Sequence, residues 1–350
     1  MENPDAQRAC YRLGDALLDI ASNSPQLIEA LENRYGDCAV PADPADAGSR
    51  VRCSAHLCSD GQPASVRFSE PAAVDLFGAA LSLLKHPAAD PLFVEGDLAI
   101  EGWRFIVRAR TGGTVTAVCG AVALIDLELV PAEFLVDLIV NPVLAIQREL
   151  LFAHAASVGI GDAGVLLIGA SGSGKTTTAL TLAARGHAYF GDDMAAIRTA
   201  SAELLPFRST ANIRPGPHAS ALANHINNGL WDPPHSDGIA RLRLRVTESF
   251  PSAAATALPL RHALFLRRFA AAPEVEPFTP TLEALGSASP LALNNALWLA
   301  WGTSPHRRLL QFMLFVRMLS RVRCAWLDVG APEATADLIE TMTEEAWDFQ

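Results

Sequence analysis

The run Gly169-Ala170-Ser171-Gly172-Ser173-Gly174-Lys175-Thr176 fits the pattern G-x-x-x-x-G-K-[ST] at every fixed position. Phosphate chemistry explains each residue type. Glycines let the backbone curl until its N–H groups point inward around an anion, and the start of a following helix adds partial positive charge. Lys175 is then placed to reach the terminal phosphates of ATP, and the Thr176 hydroxyl to hold Mg²⁺. Every residue from Gly169 to Thr177 is a candidate for nucleotide contact. A glycine-rich turn that caps a helix by coincidence is the plainer alternative, and the context argues against it. The apolar run Val165-Leu166-Leu167-Ile168 ahead of the loop reads as a buried strand, and residues 177–184 behind it as a helix stopped by Gly186. The motif requires that sequence of strand, glycine loop and helix.

A second chemical feature follows at Asp192-Asp193, beyond the short apolar run Ala188-Tyr189-Phe190. Adjacent residues on an extended chain point to opposite faces. One carboxylate can therefore face Mg²⁺ while its neighbour faces the group that attacks the γ-phosphate. Asp is also a common turn residue, but this pair lies one helix and one strand beyond the loop. The next strand of a parallel sheet is expected to end there. His154 sits in residues 152–159, which read as one strand, and a histidine among apolar neighbours is ordinarily a core residue. Its position upstream of the loop makes it a candidate as well.

His154, the loop, the helix segment Ala179-Leu180-Thr181-Leu182-Ala183-Ala184-Arg185-Gly186-His187 and the Asp192-Asp193 pair together resemble the HPr kinase/phosphorylase family and its stand-alone relatives. That family has an upstream His, a G-x-S-G-x-G-K-[ST] loop, a helix of the form A-L-x-L-x-x-R-G-H and an Asp-Asp pair, in that order. The resemblance implies an α/β P-loop kinase domain that uses ATP and Mg²⁺ to phosphorylate a hydroxyl. A seryl hydroxyl on a protein or peptide, including a peptide natural product, is the leading acceptor. It further implies Asp192 as the acid/base, Asp193 as a metal ligand beside Thr176, and Lys175 and His154 in the catalytic group. The family's tendency to self-associate extends the expectation to a homo-oligomer.

The chain departs from the family in one respect. Bifunctional members carry a Glu-Ile-Arg-Gly-Leu-Gly signature tied to the reverse, phosphorylase reaction. Here the nearest run is Asn212-Ile213-Arg214-Pro215-Gly216, with Asn where the acid stands. Kinase activity is expected without phosphorolysis, and the case for HPr as the substrate is weaker. Two other classes fit the same loop. One is a P-loop ATPase acting as a nucleotide switch for a partner complex, with no phospho-acceptor. The other holds nucleotide without turnover.

Arginines downstream are the candidates for acceptor contact. Arg208 and Arg214 could stabilise the transferring phosphoryl group or pair with surface carboxylates. Arg241-Leu242-Arg243-Leu244-Arg245 alternates strictly, so its three arginines share one face of a strand. That face is either a solvated edge or a clamp for an anionic acceptor. Residues 224–238, with Pro233-Pro234 and two His, read as a long loop.

Around this site the chain, at 350 residues, has room for two domains. Short strand-like runs separated by glycine turns fill residues 51–125, and Ser24-Pro25 opens a helix. The reading is a smaller α+β domain over residues 1–130 and the kinase domain over 131–350, with 131–151 as a helical linker. Later helices are expected at 291–301 and 307–321, the second burying Leu310, Phe312, Phe315, Val316 and Leu319 with Met313 and Met318 in ordinary packing. The net charge of −11 argues against nucleic-acid and membrane-surface partners. Residues 1–8 are polar and no signal pattern follows, and the longest apolar run, 134–144, is broken by Asp137, Asn141 and Pro142. A soluble cytoplasmic protein is expected. Its six cysteines fit no zinc spacing.

Overall fold

The apolar run ahead of the glycine loop does not alternate because it is buried on both faces. In the computed structural model, the strand Ala163–Ile168 lies inside a mixed sheet. Val165 and Leu167 pack with Ala179, Leu180 and Leu182 of the helix behind the loop. Leu166 and Ile168 pack on the other side with Phe265, Phe315 and Leu319. Truncating any of these leucines would cost about 2–5 kcal/mol.

The structure describes residues 6–41, 49–56, 64–70, 72–73, 93–94, 97–98, 103–104, 107–108, 122–127, 132–213, 231–232, 241–251, 256–281 and 305–344. The chain divides into two compact units, Met1–Arg148 with Ala296–Arg308, and Glu149–Asn295 with Leu309–Gln350.

In the first unit, β1 (Gln7–Leu13) and β2 (Ala16–Ser22) form a hairpin. The helix Pro25–Tyr35 follows, with the Ser24 hydroxyl accepting from the Leu27 N–H at 3.2 Å and Pro25 in the first turn. It returns the chain so that β3 (Ser49–His56) runs parallel to β2. β4 (Ala64–Phe68) continues the sheet. β5 (Phe93–Val94), β6 (Asp97–Leu98) and β7 (Trp103–Arg104) pair among themselves. β8 (Val107–Arg108) and β9 (Val122–Leu127) complete the order β1-β2-β3-β4-β9-β8. The segment expected as a linker forms the helix Ala132–Ala145, which packs within this unit: Arg34 meets Asp137 at 2.7 Å. Gln147 donates to the Leu13 carbonyl and accepts from the Asp15 N–H, each at 2.9 Å.

The second unit contains β10 (Leu150–Ala153), β11 (Ala155–Ile160), β12 (Ala163–Ile168), β13 (Ala188–Gly191), β14 (Ala195–Arg198) and β15 (Glu203–Leu205). Next come β16 (Ala211–Ile213), β17 (Trp231–Asp232), β18 (Arg241–Leu244), β19 (Leu258–Phe269), β20 (Glu274–Pro277) and β21 (Arg323–Val329). β12, β19 and β21 run parallel. The acid-pair strand β13 is not their direct neighbour, contrary to the expected parallel sheet. The antiparallel strand β11 lies between β12 and β13, because a tight turn at Gly161 sends the chain straight back from β11 into β12. The start of β19 pairs with β15, which leads through β14 to β10. β16, β18 and β17 form a small separate sheet.

Two further expectations need correction. Residues 152–159 are two strands, broken at His154. In the helix Pro305–Leu319, Phe315, Met318 and Leu319 are buried, but Leu310 and Met313 stand exposed. The stripe facing the core is narrower than the count of apolar residues suggests. The proposed helix at 291–301 lies outside the described residues. Among the described residues no helix is long and apolar enough to cross a membrane. Cys10, Cys38, Cys53 and Cys324 are buried cysteines outside any disulfide, and burial raises the pKa of Cys53 and Cys324.

His262 of β19 gives the fold a testable pH response. It is buried, its Nδ1 has no hydrogen-bond partner, and desolvation together with Arg323 and Arg261 pushes its pKa down to about 4. The unfolded chain therefore binds this proton first as pH falls. The stability that neutral His262 permits is complete above the unfolded value near 6.5 and is lost on descending toward 4. Between pH 7 and 5.5 urea unfolding should show a loss of about 1 kcal/mol from this residue. The variant His262→Leu should lack that increment, and an equal pH slope in both proteins would refute the assignment.

Candidate active site

The glycine loop joins β12 to the helix Lys175–Ala184, here the loop helix. Gly174 caps that helix at φ +99°, and a Cβ there would lie 3.3 Å from Val329 Cγ1. Only glycine takes this conformation without strain. Lys175 opens the helix with its ammonium turned back on the loop, donating to the carbonyls of Gly169 at 2.7 Å and Ala170 at 3.1 Å. The side chain is buried, and that burial lowers its pKa against the opposing pull of Asp193 and Asp192. Ser173 Oγ is buried in the loop with no hydrogen-bond partner. At the far end, the N–H groups of Gly186 and His187 close on the carbonyls of Ala183 and Leu182, a Schellman ending. Arg185 then reaches Asp337 and Glu340 at 2.8 Å, and His187 reaches Glu340 at 2.6 Å. These pairs tie the loop helix to the C-terminal helix Pro332–Glu344.

The break at His154 and the acid pair are two sides of one crossing. The register Ala153↔Ala195 between β10 and β14 continues into Ser157↔Gly191 between β11 and β13. The intervening residues 154–156 and 192–194 thus pass side by side as both chains move from one branch of the sheet to the other. This brings His154 Nδ1 to 3.7 Å from Asp193 Oδ1. Gly191 fits because a Cβ there would meet the backbone oxygens of Phe207 and Met194 at 2.5 and 2.8 Å.

The two carboxyls lie in a bend just beyond β13 and differ sharply in exposure. The Asp193 side chain is 63% exposed, whereas Asp192 is 4% exposed and its Oδ1 has no hydrogen-bond partner. Burial, and then repulsion from Asp193, raise the pKa of Asp192 well above the usual carboxylate range; the nearby Thr176 and Tyr189 hydroxyls work against this. Burial lowers the pKa of His154, with Asp193 opposing and Lys175 assisting, so its imidazole is neutral at pH 7.

Lys175, Thr176, His154, Asp192 and Asp193 therefore form one electrostatically connected group. The arginines are placed differently. Arg208 follows Phe207, whose N–H bonds the Phe190 carbonyl at 2.8 Å, and its Nε donates to the Tyr189 carbonyl at 3.3 Å. It lies beside the acid-pair strand. Arg243 stands opposite Asn212 on the small sheet, whose buried residues Ala211, Ile213, Leu242 and Leu244 pack over the loop helix. Arg245 pairs with Glu248 at 3.2 Å. Arg214 and most of 224–238 lie outside the described residues. Sequence reasoning missed the Tyr189 hydroxyl beside Asp192 and the close approach at Gly191; an apolar run ending in Gly before an acid pair is the only signal for either.

No group of three or more metal-ligating side chains occurs among the described residues. The donors present are two carboxyls and a threonine hydroxyl beside the glycine loop. That set suits Mg²⁺, which takes one or two carboxylates and completes its shell with phosphate oxygens and water.

Residues 147–214 match the family model of the HPr Serine kinase C-terminal domain. Among solved structures, the chain is similar to the HPr(Ser) kinase/phosphatase from Coxiella burnetii, at 15% identity and a TM-score of 0.28, covering 55% of this chain and 87% of that one. No curated protein shows significant similarity to the chain. The segment 147–214 contains His154, the glycine loop, the loop helix and the acid pair, and it is HPr-kinase-like.

Proposed function

We propose that the chain is an ATP-dependent kinase that transfers the γ-phosphoryl group to a hydroxyl, with a seryl hydroxyl of a protein or peptide as the leading acceptor. The observation that carries this reading is the Asp192 carboxyl, buried and with one oxygen unpartnered, held beside the start of the loop helix. A carboxyl so placed is poised to take a proton.

In this mechanism the loop N–H groups and the Ser173 hydroxyl bind the phosphates. Lys175 exchanges its bonds to the Gly169 and Ala170 carbonyls for phosphate oxygens and offsets the developing charge. Thr176 and Asp193 would hold Mg²⁺, which would supply charge neutralisation during phosphoryl transfer. His154, neutral and beside Asp193, orients that carboxylate. Asp192 accepts the proton of the attacking hydroxyl as its oxygen bonds to the γ-phosphorus and ADP leaves. Arg208 and the outward arginines Arg243 and Arg245 are the candidates for holding an anionic acceptor, with Arg214 from outside the described residues.

The test is the fate of the γ-phosphate. Purified chain, Mg²⁺ and γ-labelled ATP, with a pool of serine-containing peptides, should yield acid-stable phosphoserine and an equal amount of ADP. Phosphate released with no labelled peptide would instead favour a nucleotide switch. Tight ATP binding with no ADP would favour a module without turnover.

A further inference from the structure

The loop face of the second unit carries one aromatic side chain that no part of this mechanism uses. Phe269 ends β19 and is 62% exposed, unlike the other large side chains of the strand's core. Its position results from a defect in the ladder. Leu266 pairs with Leu327 but Phe269 pairs with Val329, so β19 gains one residue over β21 in that interval. Such a bulge redirects the side chains beyond it. Leu264 and Leu266 belong to the core shared with the loop helix, whereas Phe265 belongs to the opposite core. Without the bulge Phe269 would follow Phe265. With it, Phe269 shares a face with Val329, on the loop-helix side. A Cβ on Gly174 would lie 3.5 Å from Phe269 Cε1, so the ring stands directly against the end of the glycine loop. The neighbouring Arg268 is held by Asp328 at 2.9 Å.

We infer that Phe269 is the platform on which the base of the bound nucleotide stacks. This deepens the ATP reading and rests on it. The phosphate chain has one end to commit to chemistry, and His154, Asp192 and Asp193 gather on the β11–β13 side of β12. The γ-phosphate points that way. The nucleoside must then leave across the start of the loop helix toward β19 and β21, where Phe269 offers an open π-face next to Gly174. Stacking needs only such a face and discriminates weakly among bases.

The experiment is calorimetric titration of the full chain with Mg-ATP, Mg-ADP and Mg-tripolyphosphate, the last having no base. Phe269 is exposed, so Phe269→Ala opens no core cavity. It should weaken ATP and ADP binding about 5- to 100-fold and leave tripolyphosphate binding unchanged. Phe269→Tyr should bind all three as the wild type does. Wild-type ATP affinity in Phe269→Ala would overturn the inference, as would an equal loss for tripolyphosphate, which would make the ring a support for the loop. Wild-type protein that binds tripolyphosphate as tightly as ATP would overturn the base contact alone. Failure of the wild type to bind either probe would bring down the nucleotide reading and this inference with it.

Discussion

Lys175→Met should lose phosphoryl transfer by at least about two to three decades, the scale expected when one preorganised donor to a developing charge is removed. The methionine variant is the sharper test because Lys175 is buried and its ammonium bonds two loop carbonyls. Lys175→Ala removes stem and charge together, so a failure to turn over could reflect a loosened loop. Met keeps most of the stem and loses only the charged bonds, at a cost of about 1–3 kcal/mol. The two variants should therefore separate in melting temperature while agreeing in turnover. Transfer at the wild-type rate by a folded Lys175→Met protein would remove phosphate binding from the loop. Loss of transfer only in proportion to loss of folded protein would make Lys175 a structural clasp.

The strand, glycine loop and loop helix were legible in the sequence because several independent signals agreed. The apolar run is continuous where both faces are buried, the glycines fall where the backbone turns, and Gly186 stands where the helix stops. The difference in exposure between Asp192 and Asp193 is not strand alternation, because the pair lies in a bend just beyond the end of β13. The strand between them and the loop was legible only in part. The β11–β12 hairpin is local, closed by the two-residue Gly161-Asp162 turn, a signal that sequence reasoning did not use. That β13 pairs on the far side of β11 depends on long-range pairing, which no local pattern encodes. The break at His154 is hidden for the same reason: every neighbour in 150–160 is buried, so periodicity shows no change where the chain switches branches. Leu310 and Met313 mislead in the opposite way, since their apolar character says nothing of whether a partner surface reaches their turn of the helix. Phe269 is the extreme case. Its orientation results from a one-residue mismatch between two strands far apart in sequence.

Asp192→Asn should cut turnover by about two to four decades, the range typical of a general base, while Mg-ATP binding stays nearly intact. The role proposed for it differs from that proposed for Asp193. Asp192 is enclosed, so its charge is held against desolvation and against its neighbour's charge. The amide keeps the shape and removes that cost, and the folded chain should be as stable as the wild type or more so. Lost activity together with retained or increased stability is a pattern that a purely structural carboxyl would not produce. Asp193 is exposed, and its close contact is His154 at 3.7 Å. Asp193→Asn should raise the Mg²⁺ concentration for half-maximal rate by at least about tenfold, as for the loss of groups that orient or ligate a metal. Saturating Mg²⁺ should then recover much of the rate in Asp193→Asn and none of it in Asp192→Asn. If the two variants share one Mg²⁺ profile and one residual rate, the division between base and metal ligand is wrong. If Asp192→Asn loses ATP affinity and Asp193→Asn does not, the roles are exchanged.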